Sequence, residues 1–152
     1  MAADLGGDRV LYVATADVSG DEDLARRVRE HQERRPANWG TVEAGVDLLE
    51  ALEEAGGWGA VLVDSLTLWV SSRMFAGEKE TETLRKFDAF LKTAGDLGTP
   101  LVLVSDEVGL GVVPESESGR QFRDLLGLVN QRTASAAAEV HLCVAGLGVR
   151  VK

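Results

Sequence analysis

Ala60-Val-Leu-Val-Asp64 is a run of apolar residues that ends in a carboxylate, and Ser65 and Thr67 follow it. A short continuous apolar run of this kind is typical of a strand that is buried on both faces of a sheet. Two similar runs lie at residues 9–16 (Arg-Val-Leu-Tyr-Val-Ala-Thr-Ala) and 101–105 (Leu-Val-Leu-Val-Ser). Because helix-like segments separate these strands, the pattern predicts an α/β fold with a parallel sheet covered by helices on both faces.

The segments between the strands carry the spacing and the end signals of amphipathic helices. Asp21 can cap a helix that ends before Pro36, and Gly56-Gly57 terminates the next one. The predicted helices and strands that remain are helices at residues 46–55, 66–75, 83–97 and 117–139, and β runs at residues 140–144 and 149–151. A glycine-containing loop is predicted at residues 106–118.

Composition excludes several classes of function. The 152 residues carry 25 acidic side chains against 16 Lys and Arg, a formal net charge of −9, which argues against nucleic acid or an anionic membrane as the main partner. The single cysteine, Cys143, has no intrachain disulfide partner, and no Cys/His set has zinc-site spacing. The acidic start lacks the pattern of a signal peptide, and Asp64 interrupts the best candidate for a membrane span. We therefore expect one soluble, cytoplasmic domain.

Polar residues collect where the predicted strands end. Ala14-Thr15-Ala16, Asp64 and Ser105-Asp106-Glu107 all follow strands, and the helix that carries His31 follows the first of them. Ligands of open parallel sheets bind beyond the carboxyl ends of the strands. The sequence therefore predicts a ligand site at this edge.

Two residues at this edge have both a chemical and a structural interpretation. Asp64 occupies the position at which P-loop NTPases hold Mg²⁺, or it caps the following helix. His31, which lies close to Arg34 and Arg35, is a competent nucleophile on phosphorus, or it lies at the edge of an amphipathic helix whose arginines are solvated. Taken by itself, the pattern around His31 favours the structural alternative. His141, inside a predicted strand, is interpreted as structural or surface.

Other candidate motifs are less specific. Glu107-Val-Gly-Leu-Gly111 is a glycine-rich loop without the lysine or the spacing of a P-loop, and its glycines would allow unusual backbone angles or close approach of a ligand. Arg120 and Arg123 would reach a phosphate or pair with nearby acidic residues. The three tryptophans, Trp39, Trp58 and Trp69, are candidates for contact with a large apolar ligand or for core positions.

An ordered set of segments resembles the bifunctional adenosylcobinamide kinase / adenosylcobinamide-phosphate guanylyltransferase family of cobalamin biosynthesis. The matching segments, in chain order, are Tyr12-Val-Ala-Thr-Ala16, Arg27-Val-Arg-Glu-His31 with Arg34-Arg-Pro36, Trp39-Gly-Thr-Val-Glu43, Val61-Leu-Val-Asp-Ser-Leu-Thr-Leu-Trp69, Val104-Ser-Asp-Glu-Val-Gly-Leu-Gly-Val-Val-Pro114, Gly119-Arg-Gln-Phe-Arg-Asp124, Asn130-Gln131, and Ala145-Gly-Leu with the final Lys152. They extend from about residue 10 to the last residue. No single motif is decisive, but the ordered set is specific.

The resemblance implies a P-loop NTPase-like, RecA-like fold and two reactions. The first phosphorylates adenosylcobinamide, and the second transfers GMP from GTP, through a guanylylated histidine, to adenosylcobinamide phosphate. The resemblance also implies ATP or GTP with Mg²⁺ as nucleotide substrate and a homo-oligomer such as a trimer.

The same resemblance assigns roles to individual residues. It places the guanylylated histidine at His31 and a Mg²⁺ ligand at Asp64. The nucleotide site that it implies is formed by Ala14, Thr15, Ala16, Gln32, Glu33, Arg34, Arg35, Glu43 and Asp64. Within that site, the carboxylate of Glu43 would accept hydrogen bonds from guanine.

The chain departs from the family pattern at its start. The family opens with a strand, a Gly-Gly-x-x-Ser-Gly-Lys-Ser-type phosphate loop and a helix, whereas Met1-Ala-Ala-Asp-Leu-Gly-Gly-Asp8 here contains no Gly-Lys-Ser. We therefore expect a domain that is incomplete at its N-terminus and kinase activity that is weak or absent. A downstream start, an internal deletion and a catalytically inactive paralogue that binds cobinamide or a protein partner are the open explanations.

Overall fold

A computed structural model describes residues 1–16, 22–33, 35–43 and 47–152, and within residues 22–33 it does not describe the side chains of Leu24, Arg27 and His31. The helices are α1 (Ala2–Gly6), α2 (Glu22–Glu33), α3 (Leu48–Glu53), α4 (Leu66–Phe75), α5 (Glu80–Gly95) and α6 (Glu117–Ala136). The strands are β1 (Val10–Ala14), β2 (Gly40–Glu43), β3 (Ala60–Asp64), β4 (Leu101–Val104), β5 (His141–Val144) and β6 (Leu147–Arg150). Among the described residues, no helix combines the length and the apolar composition needed to cross a bilayer.

The central sheet contains four strands in the order β2-β1-β3-β4, all parallel to their neighbours. The predicted α/β fold with a parallel sheet is therefore confirmed. Strand β2 was not predicted from the sequence because its alternating exposure gives it no continuous apolar run. The residue assumed to cap α2, Asp21, lies outside the described part of the chain.

Side chains alternate between the two faces of the sheet, and both faces are covered. On one face, Leu11, Val13, Val61 and Val63 pack in a large cluster with residues of α3, α4, α5 and α6. The aromatic side chains of this cluster are in contact, with ring centroids 5.5 Å apart for Trp69 and Phe87 and 5.7 Å apart for Phe87 and Phe90. On the other face, Val10 and Ala60 pack against Ala2 of α1.

Helix α1 lies close against the start of β3, and this contact requires glycine. A Cβ atom on Gly6 would lie 2.8 Å from the Cβ of Ala60, and one on Gly59 would lie 2.5 Å from the carbonyl oxygen of Gly6. Contacts this short are not tolerated by real side chains. The N-terminal residues therefore contribute a helix to the second face of the sheet.

The two closing strands form a separate antiparallel sheet, in which His141 is the register partner of Arg150 and Val144 that of Leu147. Both residues of the connecting turn have positive φ, 52° at Ala145 and 80° at Gly146. A two-residue turn of this kind reverses the chain at once, so the strands that flank it can pair only antiparallel. Strand β5 lies within the predicted run 140–144, whereas β6 begins at Leu147 and not at Val149 as predicted, and the separation of both strands from the parallel sheet was not predicted.

A partly buried cluster of charges connects the end of α4 with the start of α5. Glu78 accepts hydrogen bonds from Lys86 Nζ and from Thr83 Oγ1 (2.9 Å), and Arg73 Nη1 lies 3.4 Å from its carboxylate. Burial acts to raise the pKa of Glu78, but the hydrogen bonds of Lys86 and Thr83 and the positive charges outweigh it, so the pKa lies below the ordinary value of 4.5. The charged form of Glu78 therefore stabilises this corner.

We expect Glu78→Gln to lower the urea midpoint of unfolding at neutral pH. Because the folded-state pKa lies below 4.5, the stabilisation is present above that pH and is lost as the pH falls through the folded-state pKa. The difference between wild type and variant should therefore shrink between about pH 5 and pH 3. Urea titrations followed by circular dichroism measure this difference in midpoint, with Glu53→Gln on the exposed surface of α3 as control. A pH-independent difference would contradict this assignment.

Candidate functional site

Three neighbouring strands end in one row of residues. In the sheet register, Ala14 of β1 pairs with Glu43 of β2 on one side and with Asp64 of β3 on the other. At a strand spacing of about 4.8 Å, the backbones of Glu43 and Asp64 lie about 10 Å apart, with Ala14 between them. The polar strand ends identified in the sequence therefore meet at one edge of the sheet.

A pocket of about 480 Å³ opens beside this row, between the end of α2 and strand β2. Its lining residues are Gln32, Arg35, Pro36, Ala37, Trp39, Thr41 and Glu43. The amide Nε2 of Gln32 donates a 3.3 Å hydrogen bond to Glu43 Oε1. The pocket combines a carboxylate, a guanidinium group, an amide and an indole, which is a suitable set for a planar polar ligand that carries negative charge.

Tyr12 connects the pocket with Asp64. Its hydroxyl donates to Asp64 Oδ2 at 2.5 Å, and the guanidinium carbon of Arg35 lies 3.5 Å from the centre of its ring. Arg35 Nη1 also donates to Thr41 Oγ1 at 3.3 Å, and Thr41 is the register partner of Tyr12. Within the part of the chain that the structure describes, the buried Nε of Arg35 has no hydrogen-bond partner.

The environment of Tyr12 disfavours its ionised form. Burial and the adjacent Asp64 carboxylate raise the pKa of Tyr12 from 10.0 to about 12, and the positive charge of Arg35 opposes them. A raised pKa means that ionisation of Tyr12 favours the unfolded chain, so stability falls as the pH rises from 10.0 toward about 12.

Because Tyr12 is the only tyrosine of the chain, tyrosinate absorbance reports this group alone. We expect titration of the folded protein to give a pKa of about 12. Asp64→Asn should bring the pKa closer to 10.0, since it removes the negative charge beside the hydroxyl. Circular dichroism at each pH confirms that the fold persists. Equal values in the two chains would show that the hydroxyl does not donate to Asp64.

Asp64 does not cap the helix that follows it. The following helix, α4, is capped by Ser65, whose Oγ accepts a 3.3 Å bond from the backbone of Leu68. Thr15 is fully buried, and its hydroxyl donates to Ser65 O (2.7 Å) and accepts from Ser65 N (2.8 Å). The helix-cap interpretation of Asp64 was therefore wrong, and its carboxylate points to Tyr12 instead.

The segment after β4 is held against two helices. Asp106 N donates to Thr67 Oγ1 of α4 at 2.8 Å, and Asn130 of α6 contacts both Ser105 Oγ (2.6 Å) and Asp106 O (3.0 Å). Thr67 and Asn130 were not predicted as site residues. In the structure they fix the end of β4 relative to the site.

The glycine-rich loop and the arginines of α6 have local partners. Neither Gly109 nor Gly111 has a positive φ, so the expectation of unusual backbone angles there was wrong. A Cβ on Gly109 would lie 2.7 Å from Glu107 Oε1, which already accepts from Gly109 N. Arg120 donates to two backbone carbonyls, and Arg123 pairs with Asp124 at 3.0 Å. Local structure therefore accounts for these residues.

The three tryptophans have different environments. Trp69 is buried in the core, Trp58 packs against the same core, and Trp39 lines the pocket. Tyr12 and Thr41 were not predicted as site residues, and Trp39 was predicted only as a candidate for contact with a large apolar ligand or for a core position. Their signal in the sequence is weak, since each lies in or beside a strand, where aromatic and β-branched residues are common for packing alone.

Some predicted site residues can be located only in part. Arg34 lies outside the described residues, and for His31 the structure describes the backbone in α2 but not the side chain. Glu33, the last residue of α2, is exposed, and Ala16 follows β1 at partial exposure. In the described part of the chain, no group of three or more His, Cys, Asp and Glu side chains is arranged to hold a metal ion.

Comparison with known proteins identifies the family. Residues 1–151 match the family model described as "Cobinamide kinase / cobinamide phosphate guanyltransferase". The bifunctional adenosylcobalamin biosynthesis protein CobU of Salmonella typhimurium is 38% identical over 158 residues, which cover 95% of this chain and 86% of that protein.

Two further relatives agree with this match. The bifunctional adenosylcobalamin biosynthesis protein CobP of Pseudomonas aeruginosa is 38% identical over 147 residues, covering 96% of this chain and 84% of that protein. Its counterpart CobU of Escherichia coli is 35% identical over 157 residues, covering 95% and 86%. With this identity over nearly its whole length and a parallel α/β fold, the chain belongs to the cobinamide kinase / cobinamide phosphate guanyltransferase family.

Proposed function

We propose that this chain acts in cobalamin biosynthesis by transferring GMP from GTP to adenosylcobinamide phosphate through a covalent intermediate on His31. The observation that carries the proposal is a pocket with Glu43 and Arg35 in its wall, connected through Tyr12 to the Asp64 carboxylate. His31 directly precedes Gln32, which lines the pocket at the end of α2. The relatives are named as bifunctional adenosylcobalamin biosynthesis proteins, which supports the pathway, and the description of the matching family model supports a guanyltransferase step.

The pocket suits guanine better than adenine. Guanine presents two adjacent N–H donors, from N1 and from the 2-amino group, to which a carboxylate can accept together, whereas adenine presents no such pair. Glu43 supplies the carboxylate, and Gln32, at 3.3 Å, holds one of its oxygens. The indole of Trp39 provides an aromatic surface in the same pocket against which a base can stack.

The other end of the site suits phosphate. Arg35 supplies positive charge beside the pocket, and a guanidinium group stabilises charge on a phosphoryl group during transfer. Mg²⁺ is commonly held by one or two carboxylates together with the phosphates of a nucleotide. Asp64 fits this role, because Tyr12 engages only its Oδ2 and a cation would use the other oxygen. The ion would neutralise the charge of the leaving pyrophosphate.

The proposed reaction proceeds in two displacements. A nitrogen of neutral His31 attacks the α-phosphorus of GTP, the bond from that phosphorus to the bridging oxygen breaks, and pyrophosphate leaves. A phosphate oxygen of adenosylcobinamide phosphate then attacks the same phosphorus, and the bond to nitrogen breaks. The products are adenosyl-GDP-cobinamide and the free histidine. In this transfer step His31 would supply the nucleophile, and the pocket beside Glu43 would hold the nucleotide.

The test is incubation of the chain with Mg²⁺ and GTP labelled at the α-phosphate, followed by detection of acid-labile label on the protein. We expect one equivalent of label, which adenosylcobinamide phosphate then removes. Protein that is folded by circular dichroism, binds adenosylcobinamide phosphate and acquires no label would contradict the proposal. That result would favour an inactive binding paralogue.

A further inference from the structure

We propose that Tyr12 is a positioning residue, whose ring holds the guanidinium of Arg35 at the pocket while its hydroxyl holds the carboxylate of Asp64 at the strand end. The two functional ends of the site would then be kept in one fixed relation by a single side chain. This inference rests on the proposed function for its kinetic consequences. The contacts of Tyr12 with Arg35 and Asp64 can be tested without measuring turnover.

Tyr12 is itself rigidly placed. It lies in β1, between β2 and β3, with Thr41 and Leu62 as its register partners, and only 6% of its surface is exposed. A strand that is paired on both sides cannot shift without breaking both hydrogen-bond ladders. The backbone of Tyr12 is therefore fixed in the sheet, and with it the point from which the ring and the hydroxyl extend.

The ring is the main support of Arg35. The guanidinium carbon lies 3.5 Å from the ring centre, well inside the range of a cation–π contact. Its bond to Thr41 is long, at 3.3 Å, and within the described residues its buried Nε has no partner. A guanidinium group with few hydrogen bonds needs the stacking surface in order to stay in one orientation.

The hydroxyl is the main restraint on Asp64. Its 2.5 Å bond to Oδ2 joins β1 and β3 through side chains, in addition to the backbone pairing of the two strands. A hydrogen bond to a carboxylate is charge-assisted and directional, so it selects one rotamer of Asp64. Without it, no other hydrogen bond among the described residues would hold the carboxylate at the point where it is proposed to meet Mg²⁺.

Two variants separate these roles. Tyr12→Phe keeps the ring and removes the hydroxyl, so the rate constant for GMP attachment should fall about 10-fold or more while the KM for GTP changes less than about 2-fold. Tyr12→Leu removes the ring as well, and the KM should then rise about 10-fold in addition. Thr83→Val, which removes one partly buried hydrogen bond to Glu78 near the start of α5, is the matched control and should change neither constant.

A second readout does not depend on activity. A guanidinium group stacked on an aromatic ring has its side-chain proton resonances shifted upfield by the ring current. Selective labelling of arginine should show this shift for Arg35 in wild type and in Tyr12→Phe and its disappearance in Tyr12→Leu. Arg35→Lys assigns the resonance.

The outcomes are distinguishable. A wild-type rate of GMP attachment in Tyr12→Phe, or an unchanged Arg35 resonance in Tyr12→Leu, overturns the inference. If wild type forms no GMP adduct, the proposed function fails, and the Arg35 resonance still decides whether Tyr12 positions the arginine. If Tyr12→Leu does not fold, Tyr12→Phe decides alone. A lower rate constant for GMP attachment with a nearly unchanged KM for GTP supports the inference, and a wild-type rate constant overturns it.

Discussion

Replacement of His31 by alanine is expected to abolish the acid-labile GMP label on the protein. The proposed intermediate is a phosphorus–nitrogen bond, and alanine has no atom that can form it. Loss of a covalent nucleophile typically lowers the rate by at least about a thousandfold, so the label should fall below detection. Labelling with α-phosphate-labelled GTP, followed by acid treatment of the denatured protein, measures the effect.

The chain contains a matched control for this experiment. Its only other histidine is His141, which lies in β5 and whose Nε2 is 3.1 Å from Glu139 Oε2. His141→Ala makes the same chemical change outside the pocket and should keep the full label. Binding of GTP to His31→Ala, followed by tryptophan fluorescence, to which Trp39 contributes from the pocket, shows whether the site itself persists. Label that survives in His31→Ala would place the nucleophile elsewhere.

Replacement of Glu43 by glutamine is expected to lower the affinity for GTP about 100-fold, since it loses two charge-assisted hydrogen bonds to guanine and places an amide donor against N–H groups. The affinity for ATP should change much less, so the preference for guanine should largely disappear. Fluorescence titration with both nucleotides measures the ratio.

Two comparisons make this result specific. Inosine triphosphate lacks the 2-amino group, so wild type should bind it about 10-fold more weakly than GTP, and Glu43→Gln should discriminate less between them. Glu53→Gln, on the exposed surface of α3, makes the same change away from the pocket. Equal loss of GTP and ATP binding in Glu43→Gln would mean that Glu43 supports the pocket without reading the base.

Much of the fold could be predicted from local patterns. Ala60–Asp64 and Leu66–Phe75 have in the structure the bounds that the sequence indicates, because an apolar run and the helix that directly follows it depend on neighbours along the chain. Strand β2 could not be predicted in this way, since its exposed outer positions remove the apolar run. The closing hairpin was predicted as strands, but its pairing depends on the conformation of the Ala145-Gly146 turn.

The candidate site, like the fold, could be predicted only in part. The sequence predicts that strand ends meet at one edge, because parallel strands place their carboxyl ends together. It also assigned Glu43 and Asp64 to a nucleotide site through the family resemblance. It did not indicate Tyr12, whose ring and hydroxyl act on residues that are distant along the chain, Arg35 and Asp64.

The sequence by itself therefore determined the α/β class, the order of most strands and helices and the family, all of which follow from local apolar periodicity and ordered motifs. Only the tertiary structure decided that Asp64 is held by Tyr12 and that Arg35 stacks beside a pocket containing Trp39 and Glu43. The reason is physical. Helix caps and apolar runs depend on neighbours along the chain, whereas these contacts depend on which strands pair and in which register.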